Sequence, residues 1–209
     1  MTMAKTTSRA TSRDRLVDAA VEAFAERGFH ATTTRDIAAR AGMSPAALYV
    51  HHASKEDVLY EVSRIGHAGT LDVVRDAVEA EDSPVDKLAA YVRSFTLWHA
   101  ENHTRARIVQ YELDALAPEH YAEVAAMRRE IEAVLRDVLF DGVRDGSFDL
   151  AEDDVPGTAV ALLSLGIDVS RWYRDGGQRS APDIAERYAE LAIRMAGARR
   201  VRPRERPGR

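Results

Sequence analysis

The chain has 209 residues, 45% of them hydrophobic and 30% charged, with 12 Gly and 7 Pro, a balance that suits one or two folded domains and excludes a disordered or fibrous chain. It contains no cysteine, which removes disulfides, thiolate catalysis and sulfur-ligated metals, and no stretch approaches the roughly 18 apolar residues of a membrane span. The net charge of −5 hides an asymmetry: residues 1–55 carry 8 Lys/Arg against 5 Asp/Glu, and residues 56–209 carry 21 against 29. A basic head on an acidic body presents one end to phosphate. With no apolar segment after the charged N-terminus, a cytoplasmic protein without membrane contact is expected.

Nearly every segment repeats its apolar residues at helical period, and no β-branched alternation with hairpin turns occurs, so the fold class is all-α with about nine helices. Leu16, Ala19, Ala20, Ala23 and Phe24 place a first helix over Ser12 to Arg27, with Ser12 as N-cap and Gly28 as stop. Thr33 or Thr34 caps a short helix running to Ala41. Gly42 supplies a turn, Ser44 caps a third helix and Pro45 takes its first position. Ser54 to Asp57 open a long helix to about Glu81, and further helices fall near 84–101, 104–116, 118–143, 153–175 and 181–198. The expected domains are a helix-turn-helix over 1–54, with a disordered arm at 1–11, a helical body over 55–198 and a disordered basic tail at 199–209.

The run from Gly28 to Leu59 carries the chemistry. Ile37, Ala38 and Ala41 can meet Met43, Ala47 and Leu48, and such small residues let two helix axes cross closely. The third helix is thereby held out as a probe for a major groove about 12 Å wide. Around it stand groups suited to phosphate: Thr34, Ser44, Tyr49, His51 and Lys55. Base reading falls to Arg35, which can pair with guanine, and to Pro45, Ala46 and Ala47, whose apolar surfaces suit thymine methyls.

This run resembles the N-terminal domain of the TetR family, in the G-F-x-x-T-T spacing before Ile37-Ala38 and in Ala41-Gly42-x-Ser44 followed by Leu48-Tyr49-x-His51 and Ser54-Lys55-Glu56. It departs at Ala46, where glycine is common, and at His52, where phenylalanine usually packs, so His52 reads as a packing residue or, less readily, a DNA contact. The resemblance implies a homodimeric repressor of palindromic double-stranded operator DNA, released by a small-molecule effector, with no cofactor. It places dimerisation on helices 153–175 and 181–198. The face expected there is Val155, Ala159, Leu162, Leu163, Gly166 and Ile167 with Ile184, Tyr188, Leu191, Ala192 and Met195, unless those residues close the monomer's own core.

For the effector the body offers Phe95, Trp98, His99, His103, Tyr111, Trp172 and Tyr173, a mixture of apolar walls and polar points that also describes an ordinary core. The stretch from Leu116 to Arg129 looks like the branch of the family that senses acyl-coenzyme A thioesters. On that reading Arg171 and Arg174, with Arg128, Arg129 and Arg136, meet the anionic nucleotide end or else pair with nearby carboxylates. A drug-responsive repressor is the alternative within the family. A metal-dependent enzyme is the rival outside it, on His99 and His103 four residues apart on one helical face; with no third ligand identifiable, neither a metal site nor catalysis is expected.

Overall fold

The structure, a computed structural model, describes residues 11–198; the basic tail and all of the expected arm except Thr11 lie outside the described residues. Among the described residues there are nine α-helices and no strand: α1 Ser12–Ala31, α2 Thr34–Arg40, α3 Pro45–His51, α4 Lys55–Glu79, α5 Pro84–Glu101, α6 His103–Tyr111, α7 Pro118–Arg144, α8 Val155–Trp172 and α9 Ala181–Met195. Two 3-10 turns, Leu113–Ala115 and Glu152–Asp154, precede α7 and α8.

Local chemistry explains where the helices begin. A hydroxyl three residues before an aspartate recurs at Thr11/Asp14, Thr33/Asp36, Ser83/Asp86 and Ser180/Asp183, and each hydroxyl accepts the amide of its aspartate at 3.1–3.3 Å. In α1 and α2 the aspartate also accepts the cap residue's own amide at 2.9 Å, closing a capping box. Each such cap contributes about 1 kcal/mol. Thr11 therefore caps α1 in place of the expected Ser12, because only Thr11 stands three residues before Asp14. The first helix does break at Gly28, whose φ of 76° and ψ of 162° are non-helical, and the chain resumes a helical turn through Ala31.

The chain divides into two compact units, and the division does not fall at residue 54 as expected. The first unit runs to Gly66 and takes in Arg107–Val124; the second holds His67–Ala106 and the chain from Ala125 onward. The reason is visible in the first unit's core. Leu16, Ala20 and Phe24 of α1, Ile37 and Ala38 of α2, Leu48 of α3 and Val58, Leu59 and Val62 of α4 share one cluster with Ile108, Leu113, Leu116 and Val124. Three helices of this size bury little by themselves, and the corner between α6 and α7 completes their core.

The second unit has a core of Leu71 and Val74 of α4, Leu88, Tyr91, Val92 and Phe95 of α5, Ile131, Leu135 and Leu139 of α7, and Val155, Ala159 and Leu162 of α8. Tyr91 is buried there with its hydroxyl donating to the Ile131 carbonyl at 2.8 Å, which explains how a phenol is tolerated in the core. Gly166 lets α8 approach α5: a Cβ on it would stand 2.5 Å from Phe95 Cδ1.

Candidate nucleic-acid interface and effector body

Helices α2 and α3 are seven residues each, too short to persist alone, so packing must hold them. Ile37, Ala38 and Leu48 are fully buried, and burying Leu48 contributes about 2 kcal/mol. The connecting turn uses Gly42 at φ 68° and is closed by the Met43 amide donating to Ala38 O at 2.8 Å. Ser44 caps α3 through the Ala47 amide at 3.2 Å, with Pro45 at the start.

Anchored by Leu48, α3 turns Pro45, Ala46, Tyr49, Val50 and His51 to solvent, while Ala47 is half-buried. The Tyr49 hydroxyl lies 3.1 Å from Thr34 Oγ1, which brings the first turn of α2 and the last turn of α3 into one hydroxyl pair. Arg35 is exposed beside it and makes no ion pair with any described residue. Other cations of this unit are spent on its own carboxylates: Arg40 on Glu22 at 3.1 Å and on Glu26, Arg27 on Asp36 at 3.4 Å.

Lys55, from which a phosphate contact is expected, is engaged within the chain. Its ammonium donates to the carbonyls of Phe29 and His30 at 2.7 and 3.3 Å and stands 4.3 Å from the Phe29 ring centroid. Gly28 interrupts α1 just before these carbonyls, and the lysine satisfies them. His52 is buried, and burial pushes its pKa down, so the imidazole is neutral and packs where an apolar ring would. Beyond it, the Glu61 carboxylate is buried yet held below the ordinary range, by Arg64 first and then by Arg13, whose guanidinium lies 3.2 Å away.

The α6–α7 corner is fastened to the start of α4. Glu56 accepts the Ala117 amide and His120 Nδ1, both at 2.9 Å, and the His120 ring stacks on Tyr60 at 3.9 Å. The Tyr60 hydroxyl reaches Glu123, and the Phe29 amide reaches Glu112 at 3.4 Å. The bond to Glu56 raises the His120 pKa. Glu56, Asp57 and His120 bring three potential metal ligands within 4.8 Å of one another, and two of the three are engaged with each other.

In the second unit the structure separates the residues expected to line an effector pocket. Phe95, His99 and Tyr173 are buried, and Trp98 and His103 are half-buried. Tyr111 is 63% exposed and belongs to the first unit, and Trp172 is 43% exposed, so neither lines this interior. Arg171 and Arg174 are also on the surface. Arg171 pairs with Asp168 at 2.7 Å, and Arg174 donates to the carbonyls of Tyr173 and Arg171 at 2.6 and 3.1 Å. Of the other arginines, Arg136 faces Glu132 at 3.8 Å.

The two histidines four apart do not share a helical face, because α5 ends at Glu101, Asn102 leaves helical geometry and His103 opens α6. Their Nδ1 atoms meet different carbonyls, Phe95 O at 2.8 Å and Ala100 O at 3.0 Å. A carbonyl can only accept, so each Nδ1 carries hydrogen. Burial pushes His99 down to about 4, leaving it neutral with Nε2 as its acceptor. His67, Thr70 and Ser170 are further buried polar side chains that sequence reasoning passed over. A signal was present: His67 stands four and seven residues before Leu71 and Val74, on the apolar stripe of α4.

Of the α8 and α9 residues expected either to meet a second subunit or to close the monomer's own core, most take the second role. Val155, Ala159, Leu162 and Gly166 point into the unit's own core, as do Ile184 and Ala192 of α9. The opposite face carries Gly157, Val160, Ser164, Leu165, Asp168 and Trp172 in the open, with Val160 53%, Leu165 39% and Trp172 43% exposed. Met195 of α9 is 42% exposed. Both faces recur at helical period, and α5, with Phe95 against Gly166, selects which one is buried.

These features define a helix-turn-helix regulator. Residues 16–62 match the bacterial regulatory proteins of the tetR family, and residues 81–196 match the tetracyclin repressor-like C-terminal domain. The chain belongs to the TetR family of transcriptional regulators, a family of DNA-binding proteins and not of enzymes. It is 34% identical over 194 residues to the transcriptional repressor KstR2 of Mycolicibacterium smegmatis, covering 90% of this chain and 91% of that protein. Among solved structures it is similar to a tetR-family regulatory protein from Rhodococcus RHA1, with 40% identity, 91% and 100% coverage and a TM-score of 0.85. The ketosteroid transcriptional regulator KstR2 of Mycobacterium tuberculosis is 28% identical, with 92% and 98% coverage and a TM-score of 0.81. No helix of the described residues is long and apolar enough to cross a membrane.

Proposed function

We propose that this chain is a cytoplasmic, ligand-responsive repressor that binds a palindromic operator as a homodimer and leaves it when a small hydrophobic effector, an acyl-coenzyme A thioester, enters the second unit. The observation that carries the operator half is the outward face of α3, anchored by Leu48 and flanked by the Thr34–Tyr49 hydroxyl pair and Arg35. Thr34, Ser44, Tyr49 and His51 hold phosphate and fix register; Arg35 and the Pro45 to Ala47 surface read base edges. Lys55 contributes to this grip by ordering the end of α1, through the carbonyls it holds.

The effector half rests on polar side chains inside an otherwise apolar unit. His99 offers a neutral acceptor, with Phe95, Trp98 and Tyr173 as wall and His67, Thr70, His103 and Ser170 as further polar points. Arg171 and Arg174 lie on the surface on either side of the buried Tyr173, and an anionic end that stays in solvent would meet them by drawing them from Asp168 and from the Tyr173 and Arg171 carbonyls. Two relatives bear names that concern hydrophobic metabolites: the ketosteroid regulator above and the fatty acid metabolism regulator of Bacillus subtilis, 24% identical over 178 residues and covering 85% of this chain. The dimer is supported by the large apolar side chains left exposed on α8, Val160, Leu165 and Trp172, and by Met195 exposed on α9. Helices α4, α6 and α7 each contribute to both units, which gives a ligand in one a route to the other.

The test is reciprocal binding. Operator selected from random duplexes is titrated with the protein in the presence of acyl-coenzyme A thioesters, free fatty acids, steroids and cationic dyes. A thioester is expected to raise the melting temperature and to weaken operator binding, and operator must weaken thioester binding by the same factor. A thioester that binds free and operator-bound protein equally well defeats the proposed release. Release by the dyes alone moves the assignment to a drug-responsive repressor.

A further inference from the structure

The recognition face holds one residue for which neither phosphate contact nor core packing accounts. Val50 is 79% exposed, more than any other large apolar side chain among the described residues. It sits two residues after the fully buried Leu48, some 200° around the helix, so the contact that anchors α3 also turns Val50 outward. With Ala46 and Tyr49 it forms a stripe at i, i+3 and i+4, and all three are exposed.

A valine there has costs that nothing within the chain offsets. A β-branched residue lowers helix propensity in a helix of only seven residues, and its methyl groups stand in water. What it supplies is rigidity, since a branched side chain in a helix holds essentially one χ1 rotamer and loses little freedom on docking. The groups around it are polar: the Tyr49–Thr34 hydroxyl pair and Arg35 at the start of α2.

We propose that Val50 is a specificity-determining residue whose methyl groups pack on a thymine 5-methyl in the major groove. Thymine alone among the four bases presents an apolar group there, and the other base edges offer donors and acceptors that a valine would strip of water without replacing. The proposal rests on the operator-binding reading above and deepens it. The Thr34, Ser44 and Tyr49 hydroxyls set the register, Arg35 reads a base edge, and Val50 discriminates at one further position of each half-site.

The experiment uses the full chain and an operator enriched from random duplexes, each thymine replaced in turn by uracil, which removes the methyl group and keeps the pairing. At one thymine of each half-site, uracil is expected to weaken wild-type binding about fourfold, the effect of one buried methyl-sized group. Val50→Ala is expected to bind the thymine operator correspondingly less tightly and to be indifferent to uracil at that same position. Val50→Thr, which keeps the branch and one methyl, should fall between. Val50 is exposed, so both variants should melt with the wild type. If Val50→Ala keeps the full wild-type response to uracil at every thymine, or if wild type responds at none, Val50 does not read a methyl group, while operator binding itself stands. If no duplex is enriched, the operator reading falls and this proposal with it.

Discussion

At the scale of single residues, two side chains change what their sequence positions suggest. Lys55 stands where a phosphate ligand is expected and is joined to the Phe29 and His30 carbonyls. Lys55→Ala should therefore destabilise the DNA-free protein by about 1 kcal/mol, for a partly exposed charged donor, read as a lower melting temperature. Lys55→Ala with unchanged stability and reduced DNA affinity would return the residue to a phosphate role alone. His99 carries the second case. Its folded pKa, about 4, lies below the ordinary 6.5, so between those values the unfolded chain binds a proton that the folded chain does not. Stability is then complete above about pH 6.5 and falls on acidification toward pH 4, by up to about 3 kcal/mol. His52 is shifted the same way, and His120, raised by Glu56, acts oppositely, losing its contribution as pH rises through its folded value. Denaturation curves of His99→Gln across this window should show a shallower acid loss than wild type.

At the scale of elements, beginnings were legible and faces were not. Hydroxyl-x-x-Asp spacings and Ser44-Pro45 mark helix starts because capping is a contact between residues three apart, and Gly28 and Gly42 mark interruptions because their backbone needs positive φ. Helix α8 is different: large apolar residues occur on both sides, among Ser164 and Asp168 on the outer one, and packing against α5 decides that Val155, Ala159, Leu162 and Gly166 face inward. Gly166→Ala tests this packing. Its Cβ would meet the Phe95 ring at 2.5 Å, so the variant should be destabilised by about 1–3 kcal/mol despite the better helix former. Gly157→Ala, with nothing within 4 Å of the added carbon, should be neutral or stabilising in the same denaturant titration. Equal effects at the two sites would contradict the assignment of inner and outer faces.

At the scale of the whole molecule, the boundary between the two units passes through α4, α6 and α7. The DNA-binding unit reaches into α4 and includes the α6–α7 corner, so its stability depends on residues far along the chain, such as the Glu56–His120 pair, 64 positions apart. The second unit leaves Val160, Leu165 and Trp172 in the open on the outer side of α8, with Ser164 and Asp168 among them. Covering that side with its copy is the proposed basis of the homodimer. Leu165→Arg should convert the protein to monomer in sedimentation at micromolar concentration and reduce operator affinity at least tenfold, since two half-sites would then be bound independently. A dimer undiminished by this change would place the interface elsewhere.

The sequence by itself determined the all-helical class, nearly every helix start, the turn between α2 and α3 and the family, because each depends on residues within a few positions of one another. Tertiary structure alone decided which side of α8 is core, that Lys55 serves α1, that Tyr111 and Trp172 stand outside the body's interior, and that His99 and His103 lie on separate helices. Each of those outcomes depends on a partner far along the chain or on a break between neighbours, and helical period cannot express either.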